Sequence, residues 1–146
     1  LLSTTRAVRK RLDFERTVGI DVIKECLEMA LQAPNGSNSQ NWHFLIVTEL
    51  SKKQKIAEFY RQVWEEYSKS PRAADSLHQD DPVLAPVQKR ILSSAEYLAQ
   101  NLEKTPIFFI PCIAGRVEQV SGPIAGFHAS IIPAVWNLCL QPVQGD

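Results

Sequence analysis

The chain has 146 residues, of which 45% are hydrophobic and 22% are charged, a composition typical of a globular domain with a real core. Sixteen basic residues balance sixteen acidic ones, so net charge supplies no general attraction to nucleic acid or to an acidic membrane surface. Three cysteines without CxxC or Cys/His spacing argue against a disulfide framework or a metal site, and no apolar run is long enough for a membrane span. We therefore predict a single cytoplasmic domain over residues 1–146.

A basic arm, residues 3–16, opens the chain with five cations against two acids. Arg6 and Arg9 are three residues apart, so they would share one face of a helical turn. Two guanidinium groups on one face suit a phosphate, since each can bind it through two parallel hydrogen bonds. A solvated basic turn without a ligand is the alternative, and the arm alone leaves both possibilities open.

The next element is a predicted helix from Ile20 to Gln32, whose apolar residues follow helical spacing. Pro34 ends it, because the residue before a proline avoids the α region. Residues 33–41, here called the amide loop, then combine asparagine, serine, glycine and glutamine in one connection. These residues favour a turn. The loop is either a cradle for a flat, polar, anionic ligand or an ordinary surface loop.

Residues 42–48 form a nearly continuous apolar run, which predicts a strand covered on both faces. A helix with one apolar stripe follows, and it faces either a core, a ligand or a partner. The stripe consists of Ile56, Phe59, Tyr60, Val63 and Tyr67. Residues 68–86 are rich in proline and aspartate, so we predict a flexible excursion or lid there.

Helical spacing returns from Val87 and ends before Pro106, and residues 107–113 are a second predicted strand. The last predicted helix begins at Pro123, with Ser121 as its cap, and is kinked at Pro133. It is apolar on nearly all sides, so it lies in a core or between subunits. Since two strands do not make a stable sheet, we expect either strands from a partner chain or a shortened version of a larger fold.

Two motifs together resemble the FMN-dependent nitroreductase family, namely TRAVRKR at residues 5–11 and APNGSNSQNWHF at residues 33–44. In that family an Arg-x-x-Arg-type arm precedes a helix, and an APSxxNxQPWxF-like segment follows it. Residues 129–138 are similar to the family's central helix. The resemblance implies an α+β fold, a three-layer α/β/α sandwich, assembled as an intertwined homodimer with two FMN molecules at the subunit interface.

The same resemblance assigns roles to individual residues. Arg6 and Arg9 would hold the phosphate and ribityl end of FMN, with the Ala7 backbone beside them. Gln40 would support the turn of the amide loop. The loop residues that would reach the flavin from the neighbouring subunit are Pro34, Asn35, Gly36 and Asn38. Asn35 replaces the usual serine, and Ala7 stands where many members carry serine.

The implied activity is that of an FMN-dependent oxidoreductase, which passes a hydride from NAD(P)H to a small electron-poor acceptor such as a nitroaromatic or a quinone. The flavin would carry the redox chemistry, so we assign no catalytic side chain. One alternative is a flavin enzyme specific for one metabolite, a dehydrogenase or a reductive dehalogenase. Another is a non-catalytic flavin-binding or dimerising remnant, because the family's later glycine loop and basic residues do not follow Leu140. We therefore expect the C-terminal part of the fold to be missing.

Overall fold

The computed structural model describes residues 3–119 and 122–140. Within those residues the chain is a mixture of helices and a two-stranded sheet, which confirms the predicted α+β class. The elements, in chain order, are α1 (Ile20–Ala30), β1 (Trp42–Val47), α2 (Leu50–Ser68), α3 (Leu84–Asn101), β2 (Phe108–Ile113), α4 (Ile124–Ala129) and α5 (Ile132–Leu140).

The chain divides into two compact units. Unit 1 consists of Leu1–Arg6, Thr17–Ile46 and Ile107–Asp146, and unit 2 consists of Ala7–Arg16 and Val47–Pro106. The division assigns the amide loop to unit 1 and most of the basic arm to unit 2. The predicted single domain stays a prediction.

In unit 1, helix α1 buries Ile23, Cys26 and Ala30, which lie on one face of the helix. This helix packs against α5. The first residue of β1, Trp42, forms a buried cluster with Ala33 and Ala134, so the amide loop starts and ends at the same core. The two strands run antiparallel, since the start of β1 is hydrogen-bonded to the end of β2.

The predicted burial of β1 on both faces is wrong for this chain. Trp42 is 7% exposed, whereas Leu45, whose side chain points to the opposite face, is 55% exposed. His43, on that same face, is exposed too. An apolar run shows that a strand is suited to burial, but which face is covered depends on what packs there.

The last predicted helix is in fact two helices, α4 and α5, separated at Ser130 and Ile131. Pro133 has no N–H to donate to the Ala129 carbonyl, so a continuous helix would lose that bond. With the break, Pro133 lies in the first turn of α5, where a missing N–H costs nothing. The predicted cap Ser121 and residues 141–146 lie outside the described residues.

In unit 2, helices α2 and α3 pack together, and their buried residues include Ala57 and Ala99. Of the three alternatives for the apolar stripe of α2, a core within this chain is excluded for most of the stripe, since Phe59 is 55% and Val63 67% exposed. Lys53 is the buried charged residue, because its Nζ donates to the carbonyl oxygens that follow α3. Small side chains, and not the apolar stripe, are therefore the hydrophobic residues buried in these two helices.

Residues 68–86 contain turns and one short 3-10 segment, Ala74–Ser76, which contacts α3. Ala73 and Ala74 are buried. Helix α3 begins earlier than predicted, at Leu84, because Asp81 accepts hydrogen bonds from the backbone N–H groups of Val83 and Leu84, both at 2.8 Å. The flexibility of residues 68–86 stays a prediction.

Candidate functional site

The amide loop has an unusual backbone. A 3-10 turn over Gly36–Asn38 follows Pro34 and Asn35. Ser37, Asn38 and Gln40 have φ values of 53°, 50° and 46°, in the left-handed region that non-glycine residues seldom adopt. Such conformations cost free energy and persist where surrounding contacts fix them. Three of them within four residues give this loop a defined shape.

The side chain of Asn35 organises the loop. Its Oδ1 accepts hydrogen bonds from the Gln40 backbone N–H at 2.9 Å and from the Ser39 hydroxyl at 3.3 Å. Its Nδ2 is buried and has no hydrogen-bond partner within the described part of the chain. A buried amide donor without an acceptor is costly. Asn35 therefore presents a donor that a ligand acceptor could satisfy.

A shallow hollow of about 300 Å³ lies beside Asn35 in unit 1. Pro34, Asn35 and Gly36 form one side of it, and residues of α4 and the break after it form the other. A Cβ at Gly36 would lie 2.8 Å from the Ser130 hydroxyl oxygen. A larger residue at this position would force the Ser130 hydroxyl to move.

Asn38 and Gln40 are exposed at the outer edge of the loop. The Gln40 side-chain amide donates to Asn38 Oδ1 at 3.0 Å. This bond links the two side chains, which both stand on residues with positive φ. Their amides are consequently held at the surface.

The basic arm has no helical turn, so the predicted shared face of Arg6 and Arg9 is absent. In unit 1, the Arg6 guanidinium donates to the carbonyl oxygens of Thr5 at 2.7 Å and Ser3 at 3.3 Å. In unit 2, the Arg9 guanidinium donates to the Ser94 hydroxyl at 3.5 Å. Arg6 is bound to its own backbone, whereas Arg9 is bound to α3.

Arg9 lies in a cavity of about 470 Å³ in unit 2, here called the basic cavity. It is lined by arm residues 7–11 and by four residues of α3, which are Lys89, Arg90, Ser93 and Ser94. Two contacts hold the arm against this helix besides that of Arg9. Lys10 Nζ donates to Ser93 Oγ at 2.9 Å, and the rings of Phe14 and Tyr97 stack with centroids 6.4 Å apart.

The charged residues that line the basic cavity all carry the same sign. Five of its lining residues are cations, and none is an acid. The ion pairs found among the described residues involve other lysines and arginines, so no carboxylate neutralises this group. In a chain with no net charge, such a cavity favours an anion.

Among the described residues, no group of His, Cys, Asp and Glu side chains is arranged to hold a metal ion. Across the same part of the chain, every helix is too short or too polar to cross a membrane.

Comparison with known families gives one decisive match, since the model of the nitroreductase family matches residues 2–141. The chain belongs to the nitroreductase family. A comparison with curated proteins gives no match. Among solved structures, the chain is similar to a BluB-like flavoprotein from Clostridium difficile 630, with 19% identity and a TM-score of 0.56. The similarity covers 91% of this chain but 64% of that one.

In this nitroreductase-family chain, the eight predicted site residues fall into two groups. Ala7 and Arg9 line the basic cavity of unit 2. The others belong to unit 1, where Pro34, Asn35 and Gly36 line one hollow. The residues of unit 1 that lie apart from that lining are Arg6, Asn38 and Gln40. Their roles toward FMN stay predictions.

Sequence reasoning missed the α3 side of the basic cavity. Lys89 and Arg90 precede Ser93 and Ser94 by four residues, so all four project from the same side of the helix. These residues make one side of the helix basic and polar, but the sequence alone does not show that the arm lies beside it.

Proposed function

We propose that this protein is a flavin oxidoreductase that binds FMN and transfers a hydride from NAD(P)H to a small electron-poor acceptor such as a nitroaromatic or a quinone. The observation that supports it best is the basic cavity around Arg9, in a chain that belongs to the nitroreductase family. An arm predicted to bind a phosphate contributes there to a set of cations without carboxylate partners.

The residues present fit the phosphate of FMN. A phosphate monoester carries about −1.5 to −2 charge at neutral pH and three strong acceptor oxygens. Arg9 lies half-buried in the cavity and can donate two hydrogen bonds to such a group. We propose that Ala7 and Arg9 hold this end of the cofactor; Arg6, which lies outside this lining, is included on the family resemblance alone.

The amide loop fits the polar edge of a flavin ring. The isoalloxazine presents carbonyl and ring-nitrogen acceptors, and Asn35 Nδ2 is a buried donor that lacks an acceptor. Pro34 and Gly36 leave a hollow beside it. We propose that these residues, together with Asn38, contact the ring of an FMN held by the neighbouring subunit, and that Gln40 supports the turn.

Bound FMN supplies the hydride-transfer chemistry, and the chain supplies binding and orientation. Asn35 donates a hydrogen bond to the ring edge, which favours electron density at that position. Arg9 and the neighbouring cations anchor the phosphate and so fix the position of the cofactor. No side chain needs to act as nucleophile or general base.

We also propose a homodimer. Leu45 on β1 and Val63 on α2 are 55% and 67% exposed, and large apolar side chains in such positions suit an interface. Sedimentation velocity should give twice the mass of one chain. A monomer across the accessible concentration range would contradict the dimer while leaving flavin binding to be measured separately.

The visible spectrum of the purified protein tests the flavin proposal. Denaturation should release FMN, and the protein reconstituted with FMN should oxidise NADH or NADPH in the presence of a nitroaromatic acceptor. A colourless protein that takes up no added FMN would refute both binding and activity. Bound FMN without nicotinamide oxidation would refute the activity and support a flavin-binding role alone.

Substitution of the arm tests the phosphate position. Arg6→Ala with Arg9→Ala should weaken FMN binding by about tenfold or more, since each charge-assisted hydrogen bond contributes about 1.5–3 kcal/mol. Arg16→Ala with Arg72→Ala removes the same charge from exposed positions and should leave affinity nearly unchanged. Equal affinities of the two double variants would contradict this placement.

A conservative substitution tests the ring position. Asn35→Asp keeps Oδ1 for its two loop contacts but replaces the buried Nδ2 donor by an acceptor. We expect FMN affinity to fall about tenfold, and circular dichroism should show the native fold. An unchanged affinity in a folded Asn35→Asp variant would exclude Asn35 from the flavin contacts.

A further inference from the structure

The amide loop contains the chain's one Asn-Gly pair, Asn35–Gly36. Asparagine is a chemically labile residue, and a following glycine exposes it further, because no Cβ hinders attack by the glycine nitrogen on the asparagine Cγ. The attacking and attacked atoms belong to neighbouring residues, so the reaction is intramolecular and has the advantage of proximity. This pair is therefore a candidate site of covalent change within the loop.

The structure leaves both nitrogen atoms of this reaction without hydrogen bonds. Gly36 is exposed, and its backbone N–H has no hydrogen-bond partner within the described residues. The nitrogen that would depart, Asn35 Nδ2, has no partner there either. Hydrogen bonds therefore restrain neither the attacking nitrogen nor the departing one.

The oxygen of the same side chain is restrained instead. Asn35 Oδ1 accepts hydrogen bonds from the Gln40 backbone N–H at 2.9 Å and from the Ser39 hydroxyl at 3.3 Å. The backbone of Asn35 is extended, with a φ of −144° and a ψ of 149°. Ring closure needs this side chain to fold back over its own peptide bond, so Oδ1 must first leave Gln40 and Ser39.

We propose that Asn35–Gly36 is a site of spontaneous deamidation, and that the two hydrogen bonds to Asn35 Oδ1 control its rate in the folded protein. The Gly36 nitrogen forms a bond to Asn35 Cγ while the Cγ–Nδ2 bond breaks. The proton of the Gly36 nitrogen leaves with Nδ2 as ammonia, and no atom is oxidised or reduced. Water then opens the cyclic imide at either carbonyl, which gives aspartate or isoaspartate at this position.

Either product removes the buried donor of Asn35. Aspartate replaces Nδ2 by a carboxylate oxygen, which only accepts hydrogen bonds. Isoaspartate also adds a carbon to the main chain, directly before the close approach of Gly36 to Ser130. Since ammonia is lost, the change runs in one direction. Its effect on flavin binding rests on the proposed flavin contact of Asn35, whereas the deamidation itself does not.

Peptide mapping by mass spectrometry tests the site on the folded, full-length chain, incubated at mildly alkaline pH. Asn38 and Asn41 are internal controls, since they belong to the same loop but precede serine and tryptophan. Asn35 should deamidate about tenfold faster than either, because only its neighbour lacks a Cβ. Equal rates at the three asparagines, or an Asn35 that stays intact in the folded chain, would overturn the inference.

Ser39→Ala tests the control by hydrogen bonding, because it removes one of the two bonds to Asn35 Oδ1. Deamidation at Asn35 should become about two- to tenfold faster in the folded protein, the range that corresponds to one net hydrogen bond. In concentrated urea the variant and the wild type should react at the same rate. Equal rates in the two folded proteins would show that this contact does not control the reaction, and the inference would be wrong.

Asn41→Ala is the matched control for a general loosening of the loop. The Ser39 hydroxyl also contacts Asn41 Oδ1 at 3.1 Å, so both variants remove a loop contact of Ser39. Asn41→Ala keeps the hydroxyl available to Asn35, and the rate at Asn35 should stay the same or fall. A similar acceleration in both variants would contradict the specific role of the bonds to Asn35.

Added FMN separates this inference from the flavin proposal. The rates of the wild type and of Ser39→Ala are measured before FMN is added, so they decide the inference whether or not flavin binds. Saturating FMN should then slow deamidation in the wild type, since an acceptor on Nδ2 would hold the side chain in place. A rate that bound FMN leaves unchanged would contradict the flavin contact of Asn35 alone.

Discussion

The amide loop of unit 1 and the basic cavity of unit 2 hold polar groups in different ways. The loop fixes uncharged groups by backbone shape, with three left-handed residues and a buried amide. The cavity collects charges on side chains that are mostly exposed. Because the shape of the loop depends on packing, substitutions in the core should change it. Because dissolved ions screen the charges of the cavity, its attraction for an anion should weaken as the salt concentration rises.

The two regions also relate differently to the sequence. The loop is one continuous segment whose turn is closed by its own side chains, such as Asn35 to Gln40. The cavity joins segments about 80 residues apart, through contacts such as that of Lys10 with Ser93. A local pattern can therefore describe the turn of the first region but only one side of the second region.

The largest expected effect is on the core beneath the amide loop. Trp42→Ala should lower the free energy of unfolding by about 3–5 kcal/mol, because Trp42 is 7% exposed and packs against Ala33 and Ala134. Urea denaturation measures this loss. Trp136→Ala is the matched control, since Trp136 is 49% exposed, and its loss should be clearly smaller. Equal losses would contradict the placement of the core at Trp42.

A smaller effect is expected where the loop meets Ser130. Gly36→Ala places a Cβ at 2.8 Å from Ser130 Oγ, so that hydroxyl must rotate and lose its bond to the Gly126 carbonyl. We expect a loss of about 0.5–1.5 kcal/mol in the free energy of unfolding.

A double-mutant cycle isolates this contact. Ser130→Ala removes the hydroxyl, so Gly36→Ala should cost less in that background than in the wild type. If the two substitutions are additive, the close approach does not explain the glycine.

Substitutions in the basic cavity should, by contrast, change the stability of the fold very little. Lys89→Gln with Arg90→Gln should change the free energy of unfolding by no more than about 0.5 kcal/mol, because both residues are exposed. Added sodium chloride should stabilise the wild type slightly by screening the clustered cations, and the variant should gain less. Thermal unfolding at two salt concentrations checks this. A large loss of stability in the variant would show that these cations support the fold.

The sequence predicted most of what depends on local chemistry. Helical spacing identified α1, including the buried face of Ile23, Cys26 and Ala30, and the apolar runs identified both strands. The amide-rich composition of residues 33–41 predicted a turn, and the structure has one there.

What the sequence did not predict depends on tertiary packing. The stripe that includes Phe59 and Val63 was expected to face a core, a ligand or a partner, and the residues that α2 buries in this chain are instead Lys53 and Ala57. Periodicity tells which residues share a face, but only the packed neighbours decide which face is covered. Lys89 and Arg90 were missed for the same reason, since nothing local shows that the arm lies along α3.

The smallest expected effect concerns Asp81, which caps the helix that carries Lys89 and Arg90. Hydrogen bonds from the backbone N–H groups of Leu84 and Val83 hold the pKa of this carboxyl below its ordinary value of 3.8. A depressed folded-state pKa means that the cap stabilises the protein above pH 3.8 and that this contribution is lost as the pH falls through the lower, folded-state pKa.

Asp81→Asn keeps an acceptor at the cap but cannot titrate. The wild type should therefore exceed this variant in urea midpoint at neutral pH, and the difference should shrink only as the pH falls through 3.8 toward the lower folded-state pKa. Other carboxylates titrate in both proteins and cancel in the comparison. A difference that stays constant across this range would show that the charge of Asp81 adds nothing to the cap, and that α3 starts at Leu84 through the hydrogen-bond geometry alone.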